Sequence, residues 1–318
     1  MGRYGGPFVA WVGSTARKFQ RGGPVGLPLF LYRGIGRVSR AHRRVSAERE
    51  NHVFLHAGQV LLQRGGKLSK TTGKTAVVVL AAGKGTRMKS DKAKVLHEVL
   101  GRPMVDYVMA SAEEIAGSDV VVVVGHQAEA VKAAVAARHA AFFALQDEQL
   151  GTGHAVMSAR SAIGEATQQV VILCGDVPLV KPETLKELVQ AHESTGRAVS
   201  VLAVSLDVPT GYGRMVTGDN GALLRIVEEK DASAEEKAIK EINSGIYCVD
   251  AGFLFSALDK VKSDNAQGEY YLTDIVEIAV QDGAGAGVVT GGSAREVTGV
   301  NTVNDLETVR QMLEERPT

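Results

Sequence analysis

The chain has 318 residues, of which 45% are hydrophobic and 23% charged, and its formal net charge is zero. These values are typical of a globular protein and exclude a chain that is disordered along its whole length. No run of 18 apolar residues occurs, which excludes a membrane-spanning helix. The two cysteines, Cys174 and Cys248, lie far apart and form neither a disulfide framework nor a Cys/His zinc pattern. We expect both to be reduced and buried, in a cytoplasmic protein.

Residues 1–74 differ in charge from the rest of the chain. They contain 14 Lys and Arg against 2 Asp and Glu, and they show little periodicity beyond a possible helix at Arg37–Glu50. Three interpretations remain open: a disordered basic tail, an Arg-rich organellar transit peptide, or a start site placed too far upstream. We favour an extension with little function, followed by a folded domain over 75–318.

From Thr75 onward, apolar runs alternate with helical segments. Ala76–Leu80 is a continuous apolar run, typical of a strand buried on both faces of a parallel sheet. The predicted elements that follow are helix Val105–Ala116, strand Asp119–Val124, helix Ala128–Arg138, strand Ala141–Leu145, helix Gly153–Ser161, strand Gln169–Cys174, helix Pro182–Thr195 and strand Val199–Val204. This alternation predicts an α/β fold with a doubly wound, mixed but mostly parallel, Rossmann-like sheet.

Beyond Gly211 the pattern changes to short strands joined by turns. Asp219-Asn-Gly221 is a typical hairpin turn between two of them. The predicted elements of this half are strands Gly213–Thr217, Leu223–Glu228 and Gly245–Val249, helices Asp250–Leu258 and Leu272–Gln281, strand Gly287–Thr290 and helix Asn304–Glu315. No internal repeat occurs, and in particular no hexapeptide repeat of a left-handed β-helix.

The turn after the first strand, Leu80-Ala-Ala-Gly-Lys-Gly-Thr-Arg-Met88, has the composition of a phosphate-binding loop. Gly83 and Gly85 would let backbone amides approach a phosphate, and the start of a following helix would add its positive dipole end. Arg87 supplies a planar group suited to phosphate oxygens, and Lys94 is a second candidate cation. A plain turn between strand and helix is the alternative.

Two common nucleotide-binding motifs do not fit this region. Met88 stands where a Rossmann fingerprint needs its third glycine. Gly73-Lys74-Thr75 looks like the end of a Walker motif, but Leu68 holds the place of its first glycine and no strand precedes it. The loop is therefore predicted to bind nucleotide phosphate in another way.

Asp176 directly follows the predicted strand Gln169–Cys174. Ligands of α/β sheets bind beyond the carboxyl ends of the strands, so an acid at this position lies where a ligand would bind. Its carboxylate could hold Mg²⁺, which takes one or two carboxylates together with substrate phosphates. Asn301 offers a neutral oxygen that could complete the site. A helix cap or a turn is the alternative role for Asp176.

The segment after the third strand is predicted to surround a base or ribose. The side-chain amide of Gln146 both donates and accepts hydrogen bonds, as the edge of a nucleobase requires, and Gly151-Thr-Gly153 suggests a tight loop. A plain surface loop is the alternative. His126 and His154 are interpreted as structural or hydrogen-bonding residues rather than metal ligands. Three further strings would suit a ligand rich in hydroxyls: Pro209–Arg214, Glu228–Asp231 and Glu241–Gly245.

Seven strings occur in order along the chain: Leu80–Met88, Lys94-Val-Leu-His97, Gln149-Leu-Gly-Thr-Gly-His-Ala155, Gly175-Asp-Val-Pro-Leu179, Pro209-Thr-Gly-Tyr-Gly-Arg214, Glu241-Ile-Asn243 and Asn265-Ala-Gln-Gly-Glu-Tyr-Tyr-Leu-Thr-Asp274. Through them the chain from about Lys74 to Arg310 resembles the uridyltransferase domain of the bifunctional bacterial enzyme N-acetylglucosamine-1-phosphate uridyltransferase/glucosamine-1-phosphate acetyltransferase. The last string points to this family rather than to glucose-1-phosphate thymidylyl- or adenylyltransferases.

The resemblance implies a nucleotidyltransferase domain over 75–318 with the nucleotide-diphospho-sugar transferase fold. It implies an in-line, Mg²⁺-dependent reaction of UTP with N-acetylglucosamine 1-phosphate that gives UDP-N-acetylglucosamine and pyrophosphate. The matching positions are Arg87 and Lys94 as catalytic groups that stabilise phosphate charge, with Lys94 also binding substrate; Leu80, Ala81, Ala82, Gly83 and Gly175 at the nucleotide; Gln146, Gly151 and Thr152 at the uracil; Gly213, Glu228, Asn243 and Asn301 at the sugar; and Asp176 and Asn301 as metal ligands.

The chain departs from this family in three places. Ala93 replaces the proline usual before the lysine equivalent to Lys94, which we expect to loosen that loop. Cys174 replaces a bulkier or aromatic residue, with little expected consequence. The chain stops at Thr318, where the family continues into a left-handed β-helix for acetyl transfer and trimerisation, so neither property is predicted.

Other functions stay open at this stage. The enzyme could use another sugar 1-phosphate, such as glucose 1-phosphate, or the chain could be a non-catalytic sensor of sugar nucleotides. We expect no nucleic acid and no membrane as a partner, and the sequence leaves the oligomeric state open.

Overall fold

The structure, a computed structural model, describes residues 70–219 and 221–315. The predicted helix Arg37–Glu50 and most of the basic extension lie outside these ranges. The strands of the described part are β1 Thr75–Ala81, β2 Glu98–Val99, β3 Arg102–Pro103, β4 Val120–Val124, β5 Phe142–Leu145, β6 Gln169–Cys174, β7 Val199–Ser205, β8 Arg214–Thr217, β9 Leu223–Val227, β10 Glu241–Asp250 and β11 Ala286–Thr290.

The α-helices of the same ranges are α1 Met104–Ala116, α2 Ala128–Ala136, α3 Thr152–Ser158, α4 Pro182–Thr195, α5 Ala234–Lys237, α6 Ala251–Leu258, α7 Asp274–Gln281 and α8 Val303–Glu314. Short 3₁₀ turns lie at Thr86–Met88, Lys94–Leu96 and Arg160–Ala162. None of the helices in the described ranges has the length and apolar character needed to cross a membrane.

The main sheet runs in the order β11-β7-β10-β6-β1-β4-β5, and the β8–β9 hairpin is attached to β10. Strands β6, β1, β4 and β5 are mutually parallel, and β11 is parallel to β7, whereas β10 runs antiparallel to both of its neighbours. The predicted mixed, mostly parallel sheet is therefore confirmed. Because the chain moves from β1 to β4 on one side and later to β6 on the other, the β1–β6 boundary is the switch point where such folds bind ligands.

Both faces of the central strands are covered by helices. Val78 and Val121 face a core that includes residues of α3, α6 and α7, whereas Val77 and Val122 face a core built with α1, α2 and α4. Every residue of β4 is fully buried. The continuous β-branched runs therefore mark strands between two helical layers, and each fully buried valine contributes about 1.5–3 kcal/mol relative to an exposed one.

Most predicted elements are found, with shifts that have local causes. Predicted and observed bounds coincide for β6 and α4. Strand β10 is longer than the predicted Gly245–Val249 because its pairing register shifts between Asn243 and Tyr247 and then resumes. Gly245 lies in the left-handed region at φ 78°, so the glycine marks an irregularity within the strand instead of its beginning.

Residues before the predicted boundary at residue 75 are hydrogen-bonded to the predicted nucleotidyltransferase domain. Thr71 is buried, donates its backbone N–H to the carbonyl of Ala162 at 2.9 Å, and shares a hydrogen bond with the hydroxyl of Thr167 at 2.9 Å. The backbone N–H of Gly164 donates to the Thr71 hydroxyl at 2.8 Å. Thr71 is therefore tied to the segment that precedes β6.

Candidate active site

Two adjoining cavities lie beyond the carboxyl ends of β1 and β6. The first has a volume of about 270 Å³ and the second about 330 Å³. Both are lined by the same four residues, Leu80, Thr152, Cys174 and Asp176, which stand at the boundary between the cavities. A ligand in each cavity would therefore approach the other at this boundary.

The first cavity collects most of the residues predicted to bind the nucleotide. It is lined by Leu80, Ala82, Gly83, Lys94, Gln146, Gly151 and Thr152. Ala81 is buried in the core, and Gly175 is buried beneath the cavity with its N–H bonded to the Leu80 carbonyl at 2.9 Å, so the structure places these two behind the lining.

Gln146 is buried in the wall of the first cavity. Its Nε2 donates to the carbonyl of Gly151 at 3.1 Å and lies 3.1 Å from Nδ1 of His154. The amide group of Gln146 is thereby held in one orientation against the cavity. His154 makes a hydrogen bond here, as the sequence predicts.

The glycine-rich loop is shaped by its contact with Lys94. Gly85 has φ 67°, and a Cβ at this position would lie 2.5 Å from Cβ of Lys94, so another residue would be strained and would push the lysine away. At Gly83 an added Cβ would meet open space. The expected helix after the loop is wrong: a single 3₁₀ turn, Thr86–Met88, follows, too short to supply the predicted helix dipole.

The segment before Lys94 is pinned by Gln127. The Gln127 side chain accepts a hydrogen bond from the backbone N–H of Ala93 at 2.9 Å and donates another to the carbonyl of Asp91 at 2.7 Å. Proline has no N–H and could not make the first bond. Ala93 is also fully buried, so this loop is anchored here without the restraint of a proline ring.

Four polar side chains converge at the boundary between the cavities. The ammonium of Lys94 contacts the carboxylate of Asp176 and donates to Oδ1 of Asn301 at 3.2 Å. The same Asn301 oxygen accepts a hydrogen bond from the Arg87 guanidinium at 2.8 Å. Asn301 is held close to Asp176 because the neighbouring Val300 N–H donates to the Asp176 carbonyl at 2.9 Å. The two predicted catalytic cations and the two predicted metal ligands thus form one cluster.

This cluster offers a suitable donor set for a hard divalent cation. The oxygens of Asp176 and Asn301 both face the Lys94 ammonium, which shows that they point to a common position. One carboxylate and one amide oxygen suit Mg²⁺, which keeps several waters and takes further ligands from substrate phosphates. Among the residues that the structure describes, no group of three or more His, Cys, Asp and Glu could hold a metal by itself.

The second cavity contains the residues predicted to bind the sugar. It is lined by Gly213, Glu228, Asn243 and Asn301, together with Arg87. Burial raises the pKa of Glu228, and the nearby carboxylates, of which Asp231 has the largest effect, raise it further. A carboxyl with a raised pKa in a cavity is well placed to hydrogen-bond a neutral polar ligand.

Two residues of this cavity, Tyr247 and Thr273, individually carry no recognisable signal as site residues in the sequence. Tyr247 is almost fully buried and lines this cavity together with Asn243. The Thr273 hydroxyl is buried and has no hydrogen-bond partner within the described ranges. Thr273 lies in the string Asn265–Asp274, which supported the resemblance and could have indicated it. Tyr247 lies two residues after the string Glu241–Gly245. Its position in the cavity depends on the register shift in β10, which the sequence does not reveal.

Cys174 separates the two cavities. Burial raises the pKa of its thiol to about 12, and the charge of Asp176 adds to this shift. Its Sγ lies 3.7 Å from the carbonyl of Gly245. The thiol is therefore protonated at neutral pH and serves as a small apolar part of the wall.

Known proteins resemble this chain in sequence and in fold. A family model described as MobA-like NTP transferase domain matches residues 77–238. The bifunctional protein GlmU of Geobacter metallireducens is 51% identical over 229 residues, which cover 72% of this chain and 48% of that protein. GlmU of Desulfotalea psychrophila is 48% identical over 227 residues, covering 71% of this chain and 67% of that protein.

The chain spans about half the length of several of these curated relatives. For GlmU of Anaeromyxobacter dehalogenans, the matched region covers 51% of that protein. One solved structure, a protein of Bacillus anthracis provisionally named a glucose-1-phosphate thymidylyltransferase, superposes with a TM-score of 0.60. It covers 77% of this chain and 97% of its own, at 19% identity. That likeness supports the fold alone.

Proposed function

Because the chain belongs to the MobA-like NTP transferase domain family, we propose that it transfers the uridylyl group of UTP to N-acetylglucosamine 1-phosphate and releases pyrophosphate. One observation carries the proposal: Arg87, Lys94, Asp176 and Asn301 converge where the two cavities meet. A nucleotide in the first cavity and a sugar phosphate in the second would bring their phosphates together at this cluster. The curated relatives named GlmU support this assignment.

The proposed reaction is an in-line displacement. A phosphate oxygen of the sugar 1-phosphate forms a bond to the α-phosphorus of UTP while the bond from that phosphorus to the bridging oxygen of pyrophosphate breaks. Phosphoryl-type transfer needs positioning and neutralisation of charge more than a general base. Arg87 and Lys94 would supply the positive charge, with the planar guanidinium suited to two phosphate oxygens.

We propose Mg²⁺ as the divalent metal, held by the carboxylate of Asp176 and the amide oxygen of Asn301. A bound magnesium ion would neutralise phosphate charge and orient the triphosphate. Gln146 would read the uracil, supported by its fixed amide in the first cavity. Glu228 and Asn243 would face the sugar and its N-acetyl group, which an unacetylated sugar lacks.

Release of pyrophosphate across a panel of substrates tests the proposal. We expect UTP with N-acetylglucosamine 1-phosphate and Mg²⁺ to give the highest kcat/KM among combinations of nucleoside triphosphates and sugar 1-phosphates. A preference of tenfold or more for glucose 1-phosphate, about 1.4 kcal/mol, would overturn the choice of sugar. Binding of UDP-sugar without any release of pyrophosphate would instead identify a sensor.

A further inference from the structure

Arg214 is a buried arginine that lies outside both cavity walls. It stands at the start of β8, directly after the loop Gly211–Gly213, and its surface is 1% exposed. Its guanidinium donates to Oε2 of Glu229 at 2.7 Å and contacts the carbonyl of Tyr212. Its Nε is buried without a hydrogen-bond partner in the part of the chain that the structure describes.

Stability alone does not explain this arginine. Burying a guanidinium carries a large desolvation cost, and a buried N–H without a partner adds to that cost. An apolar side chain of similar volume would often be equally or more stable in such a position. Within residues 70–219 and 221–315, Glu229 is the carboxylate paired with Arg214, and its side chain is 28% exposed, so the pair is only partly shielded from water. We therefore look for the role of the Arg214–Glu229 pair in the loop that it contacts.

The pair fixes the loop that forms one wall of the second cavity. Oε2 of Glu229 also accepts the backbone N–H of Gly211 at 3.2 Å, so one carboxylate oxygen joins the loop to Arg214. Glu229 thus holds Gly211, and Arg214 holds the next residue, Tyr212, through its carbonyl. The next residue, Gly213, accepts a hydrogen bond from the N–H of Asn243 at 2.9 Å.

We propose that Arg214 and Glu229 are positioning residues that set the affinity for the sugar phosphate. They act through the loop Gly211–Gly213, which lines the second cavity with Asn243. The inference rests on the proposed function, because it assigns the sugar phosphate to that cavity. The loop that they hold lines the second cavity and not the first, so we expect the affinity for the nucleotide to be independent of the pair.

Two substitutions of different severity test this role. Arg214→Lys keeps the charge but loses the fork that reaches Glu229 and Tyr212 together. Glu229→Gln keeps the shape and weakens the bond to the guanidinium. We expect KM for the sugar phosphate to rise about tenfold or more in R214K and about threefold in E229Q, with kcat and KM for UTP within twofold of wild type.

A matched control is Arg225→Gln. Arg225 lies on β9 of the same hairpin and pairs with Glu236, away from the loop. All three kinetic constants should stay within twofold in this variant. If R214K and E229Q lowered the melting temperature but left KM for the sugar phosphate unchanged, the pair would be merely structural and the proposal would be overturned. Should R214K not fold, E229Q alone still decides.

Hydrogen exchange gives a readout that needs no activity. The Gly211 amide should exchange faster in E229Q than in wild type, and the R225Q control should not differ. Unchanged exchange at Gly211 in E229Q would contradict the proposal whatever the kinetics show. If wild-type protein released no pyrophosphate with any sugar phosphate, the proposed function would be contradicted instead. The exchange experiment would still measure how firmly Glu229 holds the Gly211 amide.

Discussion

At the scale of single residues, the cluster between the two cavities is partly shielded from water. The side chains of Lys94 and Asp176 are 18% and 16% exposed. Charges in such surroundings interact more strongly than on an open surface, because the effective dielectric constant is lower. Substitutions that alter charge here should therefore act on turnover far more than similar changes elsewhere on the surface.

The first prediction concerns Asp176→Asn, which keeps the shape of the side chain and removes its charge. We expect turnover to fall by about 100-fold or more, or about 2.7 kcal/mol, because a neutral amide holds a divalent cation poorly. Asp207→Asn is the control, since the Asp207 side chain is 95% exposed and pairs with Lys240 on the surface. Pyrophosphate release by a folded D176N protein at a near-normal rate would show that the proposed metal site does not include Asp176.

The second prediction separates charge from shape at Arg87. Arg87→Lys retains the cation but loses the planar group, so we expect kcat to fall by about 10- to 100-fold. Arg160→Lys serves as the matched control, because Arg160 contacts Asp259 and the carbonyl of Phe255 on the surface. Equal kcat in R87K and wild type would mean that Arg87 does not stabilise the reacting phosphates.

At the scale of elements, the loop before α3 and the first turn of α3 are joined to the segment before α7. Gly153 donates its N–H to the Tyr270 carbonyl at 2.8 Å, and the Tyr270 N–H donates to Leu150 at 2.8 Å. The Leu272 N–H donates to the hydroxyl of Thr152 at 3.0 Å. Two chain segments that are far apart in sequence therefore support one wall of the first cavity.

Gly153→Ala tests this junction. A Cβ at Gly153 would lie 2.9 Å from the backbone oxygen of Tyr270, so the two segments must separate. We expect a loss of about 1–3 kcal/mol in the free energy of unfolding and a higher KM for UTP. Gly252→Ala on α6 is the control: its Cβ meets nothing within 4 Å, and alanine there should raise stability by up to about 1 kcal/mol.

The first turn of α7 predicts a dependence of stability on pH. Burial raises the pKa of Asp274 to about 6, with Glu277 and Asp231 adding to the shift. The unfolded chain has a lower pKa, about 3.9, so the folded state binds the proton more tightly and this carboxyl lowers stability as pH rises from about 4 to about 6.

Asp274→Asn removes that ionisation. In denaturant unfolding, the free energy of unfolding of D274N should rise relative to that of wild type by about 1 to 2 kcal/mol between pH 4 and pH 6. This is less than the full pKa shift implies, because Asp274 is partly exposed to solvent. A difference between the two proteins that stays constant from pH 4 to pH 7 would contradict the predicted burial of this carboxyl.

The sequence predicts elements well where the signal is local. The β-branched run of β1 and the proline at the start of α4 fix those elements without reference to the rest of the chain. The full length of β10 could not be predicted, because Gly245 resembles a strand end until its neighbours are in place. The bond between Arg214 and Glu229 likewise depends on the β8–β9 pairing, which no short pattern reveals.

Some candidate site residues can likewise be predicted from local sequence, whereas others depend on contacts between distant parts of the chain. Asp176 could be selected because it directly follows an apolar strand. Ala81 and Gly175 came from matching strings, and the structure places both behind the cavity wall. Thr273 lines the second cavity because α7 packs against the sheet, a contact between distant parts of the chain.

At the scale of the whole molecule, Thr71 sets how far the amino-terminal segment can be shortened. A protein beginning at residue 70 should keep the turnover of the full chain. A protein beginning at residue 72 loses the three hydrogen bonds of Thr71, or about 3 kcal/mol, and should melt about 6–12 °C lower. Thermal melts and pyrophosphate release on both truncations provide the check, and a large drop in turnover in the longer one would assign a function to the basic extension.

The contact of Lys94 with Asp176 and Asn301 has a consequence for the order of assembly. The carboxylate is already electrically balanced by an internal ammonium, so a divalent cation that arrives alone must displace it. In the proposed site a nucleotide would bring its own negative charge and offer the ammonium a new partner, which would free both oxygens for the cation. We therefore expect calorimetry to find weak binding of Mg²⁺ alone and much tighter binding in the presence of UTP. Metal and nucleotide would then bind together, with the charge of each partly neutralised by the other, rather than one after the other.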